Sequence, residues 1–326
     1  MAKKDLAKTI KEKFSYDVAD LAVYVDEQST EILADLTYTS NFLSRVQVMP
    51  NVKGSKKLKF MNAEFALQDG DGCAWNADGS VTLTDRQLDT VRVKVQAEFC
   101  NDDLTDTWAQ MLLAIGANRQ DTELPFDAVL SAYAIKQAQF KNQNLIFKGD
   151  TTSLNPDLVH YDGLLKLWDN DADLNTVTSL EVDITVANAF SIAQAMANGI
   201  PAELLDNGVN VEVLASRTTL QLIVNNIYND KDYASALTVS DTGGEMSFVL
   251  PTTSITFRSY PQIPNDKMYA VPYQFIAYGT DLESDIDGFS AKYNDNDEKL
   301  RFGTKWRTGI QYGFPSYFTR LELPNS

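Results

Sequence analysis

The chain has 326 residues, 44% of them hydrophobic and 22% charged, with 28 Lys/Arg against 45 Asp/Glu for a net charge of −17. That composition excludes a disordered protein and supplies a full core for one large or two modest domains. Its acidic balance repels phosphate and argues against specific nucleic-acid binding, and no apolar run reaches the ~18 residues of a membrane span.

The charge is uneven. Residues 1–60 hold ten Lys/Arg against eight Asp/Glu, which leaves 18 against 37 for the remainder. The basic exceptions are MAKKDLAKTIKEK at the start, KGSKKLK at 53–59 and a late strand described below. These either are solvated faces or meet acidic surfaces of other copies. Cys73 and Cys100 form no CxxC, so the chain reads as reduced and intracellularly made rather than as a disulfide scaffold. The N-terminal lysines have no signal-peptide apolar segment behind them.

In chain order, 1–14 reads as a polar arm. A helix follows over about 26–45, with Ile32, Leu33, Leu36, Phe42 and Leu43 as its apolar side and Pro50 beyond its end. Residues 53–100 read as one long hairpin. Its return limb alternates Val91, Val93, Val95, Ala97 and Phe99 with Arg92, Lys94, Gln96 and Glu98. Its tip, QDGDGCAWNADG, carries Gly70, Gly72 and Gly79 for backbone freedom and Trp75 among turn-forming aspartates. Two such limbs cannot hide a partly apolar face by themselves.

Residues 103–118 and then 125–148 carry helical patterns. The second is long, with Pro125 suited to the first turn, Lys148 in the last and Gly149 suited to a left-handed C-terminal position. Its apolar stripe is Phe126, Leu130, Tyr133, Phe140, Asn144 and Phe147, as in core packing. Residues 150–185 are loop-rich. A mixed section then holds a helix over 186–198, a buried-type strand NVEVLA, and a helix to Tyr228 capped by Ser216. Strands and a Gly243-Gly244 turn follow. MYAVPYQFIAYG is strand-like, and Pro272 assigns it to an edge or bulge.

Lys299–Tyr312 is the clearest strand. Leu300, Phe302, Thr304, Trp306, Thr308, Ile310 and Tyr312 alternate with Lys299, Arg301, Gly303, Lys305, Arg307, Gly309 and Gln311. The period of two sets the apolar side chains on one face and four cations on the other. At ~3.3 Å per residue it extends ~46 Å, so it needs a long partner. Gly313-Phe314-Pro315 breaks the ladder, and 317–323 resumes as a short edge piece.

Catalytic motifs are thin. The single histidine, His160, excludes a paired-His zinc site and HExxH, and no GxSxG, GxGxxG or GxxxxGK[ST] is present. Asp169, Asp171 and Asp173 imitate the start of a calcium loop, but Leu174 stands where glycine belongs and Leu180 where a bidentate Glu belongs. They read as an acidic loop, as do Asp295, Asp297 and Glu298. No metal, cofactor or catalytic residue is assigned, and no spacing selects a carboxylate pair among the 45 acids.

Residues 145–150, LIFKGD, end the long helix, and Leu300-Arg301-Phe302 runs on to Phe314-Pro315-Ser316-Tyr317-Phe318. Together with the order of arm, hairpin, helix, mixed section and terminal strand, they resemble the major capsid proteins of tailed bacteriophages, the Hong Kong phage fold that encapsulins share. The resemblance implies an α+β fold. An N-terminal arm would take 1–50, an extended β-hairpin loop 51–100, and a peripheral domain 101–184 with its spine helix at 125–148. A mixed α/β axial domain would take 185–255, and 256–326 would return to a long antiparallel peripheral sheet formed by the late strand and 268–278.

The same resemblance implies a non-enzymatic subunit that self-assembles, as hexamers and pentamers, into an icosahedral shell around viral double-stranded DNA. Assembly would occur in the host cytoplasm and leave the protein in the virion, without membrane contact or specific DNA binding. With about 50 residues before the loop, a fused scaffolding segment is not expected, so a separate scaffolding protein is, with portal and decoration proteins as further partners. The expected inter-subunit contacts are Lys53, Lys56, Lys57, Lys59, Trp75, Arg92, Lys94, Arg301, Lys305 and Arg307. Some relatives crosslink their loops through a lysine and an asparagine, but no pair is assigned here. The alternatives are another virion protein, such as a tail-tube or adhesin subunit, and an acidic hydrolase.

Overall fold

The computed structural model describes residues 42–65, 67, 79–100, 126–229, 237–242, 245–251, 253–281, 289–294 and 299–324. The elements in the first half are β1 (Gln47–Met49), β2 (Ser55–Phe65), β3 (Gly79–Asp89), β4 (Val91–Cys100), α1 (Phe126–Lys148), α2 (Leu164–Asn170), β5 (Asn175–Thr178) and α3 (Ala189–Asn198). There follow α4 (Ala202–Asp206), β6 (Val211–Ala215), α5 (Arg217–Asn229), β7 (Val239–Thr242), β8 (Glu245–Val249) and β9 (Thr256–Ser259). The last are β10 (Met268–Pro272), β11 (Ile276–Gly279), β12 (Phe289–Asn294), β13 (Lys299–Tyr312) and β14 (Thr319–Glu322). They divide into two units, one drawing its described residues from 45–91, 143–279 and 309–324, the other from 42–44, 92–142 and 280–308.

The first unit is organised by β6. Its sequence VEVLA is apolar except for Glu212, and all five residues are buried. β10 flanks it antiparallel and β9 parallel, within a seven-stranded sheet of order β5-β14-β10-β6-β9-β8-β7. The sheet's cover is amphipathic by design of spacing: α5 buries Leu220, Ile223, Val224 and Ile227, an i, i+3, i+4, i+7 stripe. α3 packs beside it through Ile192, Ala193, Met196 and Ala197. The backbone N–H of Thr219 donates to Ser216 Oγ at 3.1 Å, so Ser216 caps α5 as its sequence suggests.

Several strands depart from expectation. MYAVPYQFIAYG is not one strand at an edge. It is β10, central between β6 and β14, then a 3-10 turn at Tyr273–Phe275, then β11 in a different sheet. Pro272 is tolerated because it ends β10 and redirects the chain. Likewise 319–322 is not an edge, since β5 adds in parallel outside β14. Strands from 256–326 therefore supply β9, β10 and β14 to the sheet built on β6, while β11 and β13 pair elsewhere. The helix and strand at α2 and β5 lie in the stretch read as loop.

The hairpin is also reassigned. β2 pairs with β3 over eleven residues, from Ser55↔Asp89 to Phe65↔Gly79. The more regular alternation at 91–100 belongs to β4, which pairs with β13. The break falls at Thr90, whose hydroxyl donates to the Val52 carbonyl and whose N–H donates to Gly54 O at 2.7 Å. The N–H bond carries the β2–β3 register one pair further, and the hydroxyl, which also accepts the Gly54 N–H at 3.2 Å, closes it there before β4 begins.

α1 runs to Lys148 as expected, but its described buried face is Ala138, Asn142, Leu145, Ile146 and Phe147, and Phe140 is 54% exposed. Gly149 is not left-handed. It is required by close approach: Gly163 N–H donates to its carbonyl at 2.8 Å, and a Cβ on Gly149 would meet Leu145 O at 2.6 Å. In the second unit the N-terminal half of β13 pairs with β12 and β4. Thr304, Trp306 and Thr308 are buried there while Arg301 and Lys305 are exposed, so the period of two holds. Trp306 Nε1 donates to Asn142 Oδ1 at 3.3 Å. The helix expected over 26–45 lies almost entirely outside the described residues, as do the arm, the 103–118 helix, the Gly243-Gly244 turn and the 295–298 loop.

Candidate interaction surface

Cross-strand partners in an antiparallel pair share a face, so the register of β2 and β3 sorts the hairpin into two faces. One carries Lys56, Leu58, Phe60, Ser80, Thr82, Thr84, Arg86 and Leu88; the other carries Lys57, Lys59, Met61, Ala63, Phe65, Val81, Leu83, Asp85 and Gln87. Near the base the first face is the apolar one. Leu58 and Leu88 are buried with Ala277, and Met49 and Phe60 pack against them. Past Phe60↔Thr84 the pattern inverts: Ser80, Thr82 and Thr84 are exposed polar groups. The apolar residues now stand on the opposite face, Met61 at 64%, Phe65 at 80%, Val81 at 54% and Leu83 at 69% exposure. The apolar stripe changes sides halfway along one hairpin.

A strand buried against a single surface keeps its apolar residues on one face. A stripe that switches needs two surfaces on opposite sides. The protein's own unit supplies the first, at the base. Leu67, just beyond β2, is fully exposed as well. Contiguous apolar display of this kind is the sort of surface at which proteins dock.

The base is closely built. The Phe60 ring packs edge-on to Phe314 at 5.2 Å and covers Gly313, where a Cβ would collide with it. Phe314 has a left-handed backbone, φ 51°, held by Phe60, Phe275 and Tyr317 around its ring. Arg86 donates to Asp171 Oδ2 at 2.6 Å, and its guanidinium lies 4.6 Å from the centre of the Tyr312 ring. The Tyr312 hydroxyl donates to the same carboxylate oxygen at 2.7 Å. Burial pushes the Asp171 carboxyl up, but the Arg86 guanidinium, the Tyr312 hydroxyl and the Asp173 N–H outweigh it and hold it below the ordinary range.

The acidic loop at 169–173 is thus a receiver for the chain's own cations. Asp169 accepts from Lys267 and from the Tyr269 hydroxyl, and Arg320 Nη1 donates to the carbonyls of Trp168 and Asp169 at the end of α2. Elsewhere in this unit Glu212 takes Arg258 in a fork of 2.7 and 3.1 Å, and Arg45 Nη1 donates to the Tyr260 hydroxyl at 3.0 Å. Burial drives the Tyr260 hydroxyl up to about 12. Lys166 bridges Asp150 and Asp162 at 2.7 Å each, and with Thr152 it holds Asp150 at about 2. Among the described residues no three His, Cys, Asp or Glu side chains converge as a metal site would require.

The residues expected at contacts divide between the units. Lys56, Lys57 and Lys59 are exposed on β2, with Lys53 exposed just before it. Lys57 pairs with Asp85 at 2.9 Å across the open face. Arg92 and Lys94 lie on β4 in the other unit, not on the hairpin, and are exposed. There too Arg301 faces Glu98 at 3.7 Å, Lys305 is exposed, and Arg307 is half-buried against Asp281 at 3.6 Å. Trp75 lies outside the described residues. The sequence points to a partly apolar hairpin face, but not to its switch of sides or to the Arg86–Asp171–Tyr312 cluster. The one sequence signal near the latter is the Asp169-x-Asp171 pattern, which by itself reads as an acidic loop.

No family model and no curated protein matches the sequence. Solved structures do. A chain of the satellite phage P4 procapsid that includes the size determination (Sid) protein is 13% identical with a TM-score of 0.57, over 90% of this chain and 99% of that one. A chain from the capsid of the empty GTA particle is 8% identical with a TM-score of 0.57, over 87% and 90%. One from the virus-like particle of Pyrococcus furiosus is 9% identical with a TM-score of 0.50, over 89% and 96%. At these identities the likeness is one of fold. The chain has the α+β phage capsid fold that its layout led us to expect.

Proposed function

We propose that the protein is a major capsid subunit of the tailed-phage type, which assembles through many copies of itself into an icosahedral shell around double-stranded DNA. The observation that carries the reading is the switched stripe: the outer half of the hairpin presents Met61, Phe65, Val81 and Leu83 on the face opposite to the one its own unit covers. On a shell-protein fold, a neighbouring copy is the surface that completes it. Heterologous contacts of this kind close into rings, and a reaching hairpin serves rings of five and six alike. Exposed ion pairs add little, so affinity must come from large repeated interfaces of more than ~2,000 Å² per subunit.

In this reading β2 and β3 are the extended loop, α1 is the spine, and the helix-covered part of the seven-stranded sheet lies nearest the five- and sixfold axes. Lys53, Lys56, Lys57 and Lys59 meet acidic surfaces of neighbours, and Arg92, Lys94, Arg301, Lys305 and Arg307 serve contacts of the other unit. The acidic wall leaves packaged DNA unbound. A scaffold, a portal and decoration proteins complete the virion, which assembles in the host cytoplasm. The chain carries no catalytic role.

Electron microscopy of the purified protein, alone and with its scaffold, tests this. Hollow closed particles, or rings of five and six, are expected. Open tubes would favour a tail-tube subunit, and a persistent monomer with a protease-resistant hairpin would overturn the reading.

A further inference from the structure

We propose that Arg86, acting through Asp171 and Tyr312, is the positioning residue that fixes the direction in which the outer hairpin leaves its own unit. The inference rests on the shell reading for its consequence, but its physical basis is local. Arg86 stands opposite Leu58, two positions on the base side of the Phe60↔Thr84 pair at which the stripe changes faces. Its charge-assisted bond to Asp171, 2.6 Å, joins the hairpin to the end of α2, 85 residues away in sequence.

Three features make this cluster a direction-setting contact and not another surface ion pair. First, it is three-centred: Arg86 and the Tyr312 hydroxyl converge on one oxygen, Asp171 Oδ2, while the guanidinium lies over the Tyr312 ring. The planar guanidinium is therefore fixed in both distance and tilt. Second, the post it grips is itself braced. Asp171 Oδ1 accepts the Asp173 N–H at 3.0 Å, and Arg320 Nη1 ties the carbonyls of Trp168 and Asp169 at 3.0 and 2.7 Å. Third, Tyr312 ends β13 next to Gly313, whose backbone lies beneath the Phe60 ring. The clamp and the aromatic seat thus grip the two strands from adjacent points, Arg86 on β3 and Phe60 on β2. Two anchors on neighbouring strands restrict rotation as well as translation. The seat alone, made of rings in edge contact, leaves rotation about the strand axis less restricted.

Fluorophores placed through non-canonical residues at two exposed positions, Phe65 on the outer hairpin and Leu154 in the loop after α1, report that direction in the unassembled chain. The wild type should give one narrow distance distribution. Arg86→Met should broaden it at least twofold while the circular-dichroism spectrum stays native, and Arg86→Lys, which keeps a cation within reach of Asp171, should narrow it again. Tyr312→Phe removes only the hydroxyl and should broaden it to a lesser degree, which keeps the test valid if Arg86→Met does not fold. Assembled Arg86→Met should then give particles of mixed diameter. A distribution in Arg86→Met and Tyr312→Phe as narrow as in the wild type would overturn the inference. If the wild type forms no shell, the shell reading falls by itself, and the distance distributions still decide the clamp.

Discussion

The two faces of one hairpin are built to opposite rules. Over its base the apolar residues Leu58, Phe60 and Leu88 turn toward the protein's own unit, and the charged Lys57, Lys59 and Asp85 turn away. Over its outer half the apolar residues turn away and threonines take the first face. The same strand pair therefore folds with one surface and, in our account, assembles with another. A substitution should accordingly cost folding or cost assembly depending on which side of Phe60↔Thr84 it falls.

The largest expected effect on folding is at the docked face. Leu88→Ala removes a fully buried side chain and should lower stability by about 2–5 kcal/mol in chemical denaturation. Equal stability to wild type would mean that the base is not packed as described. Next comes the clamp, where Arg86→Met removes a charged hydrogen bond and should cost about 1.5–3 kcal/mol at neutral pH.

That cost carries a pH signature. The folded-state pKa of Asp171 is depressed, so its contribution is fully present above the ordinary aspartate value and is lost as pH falls through the lower folded value. The stability gap between wild type and Arg86→Met should therefore shrink as the solution is acidified below about pH 4. A gap that is constant with pH would remove Asp171 from the account.

Smaller still is Lys57→Ala on the open face. The Lys57–Asp85 pair is solvent-exposed on both sides, and its loss should leave the denaturation midpoint unchanged. Comparably small for folding is Leu83→Ser, with a change within about 0.5 kcal/mol. It should nonetheless reduce particle yield strongly at matched concentration. Full yield would break the comparison at its most exposed point.

Much of the fold was legible in local pattern. The fourteen-residue alternation of β13 and the four apolar positions of β6 needed no tertiary context, and Ser216 marked its helix start by side-chain chemistry. The hairpin was misread for a physical reason. Each half of β2 and β3 displays only a few apolar residues per face before the stripe switches, so a period-two count dilutes itself and the cleaner 91–100 alternation wins. The split of 268–279 between two sheets turns on a single 3-10 turn that no periodicity signals. Of the candidate surface, the lysines at 53–59 were visible as a basic run. The Arg86–Asp171–Tyr312 cluster was not, because it joins residues up to 226 positions apart through two sheets and a helix end, and only folding brings them within hydrogen-bond reach.

Hydroxyl-radical footprinting of the free chain and of assembled material tests the central claim most directly. The account predicts that Met61, Phe65, Val81 and Leu83 are oxidised readily in the free chain and protected on assembly, while Leu58, Phe60 and Leu88 are protected in both. Assembled particles in which the outer four remain as reactive as in the free chain would contradict it.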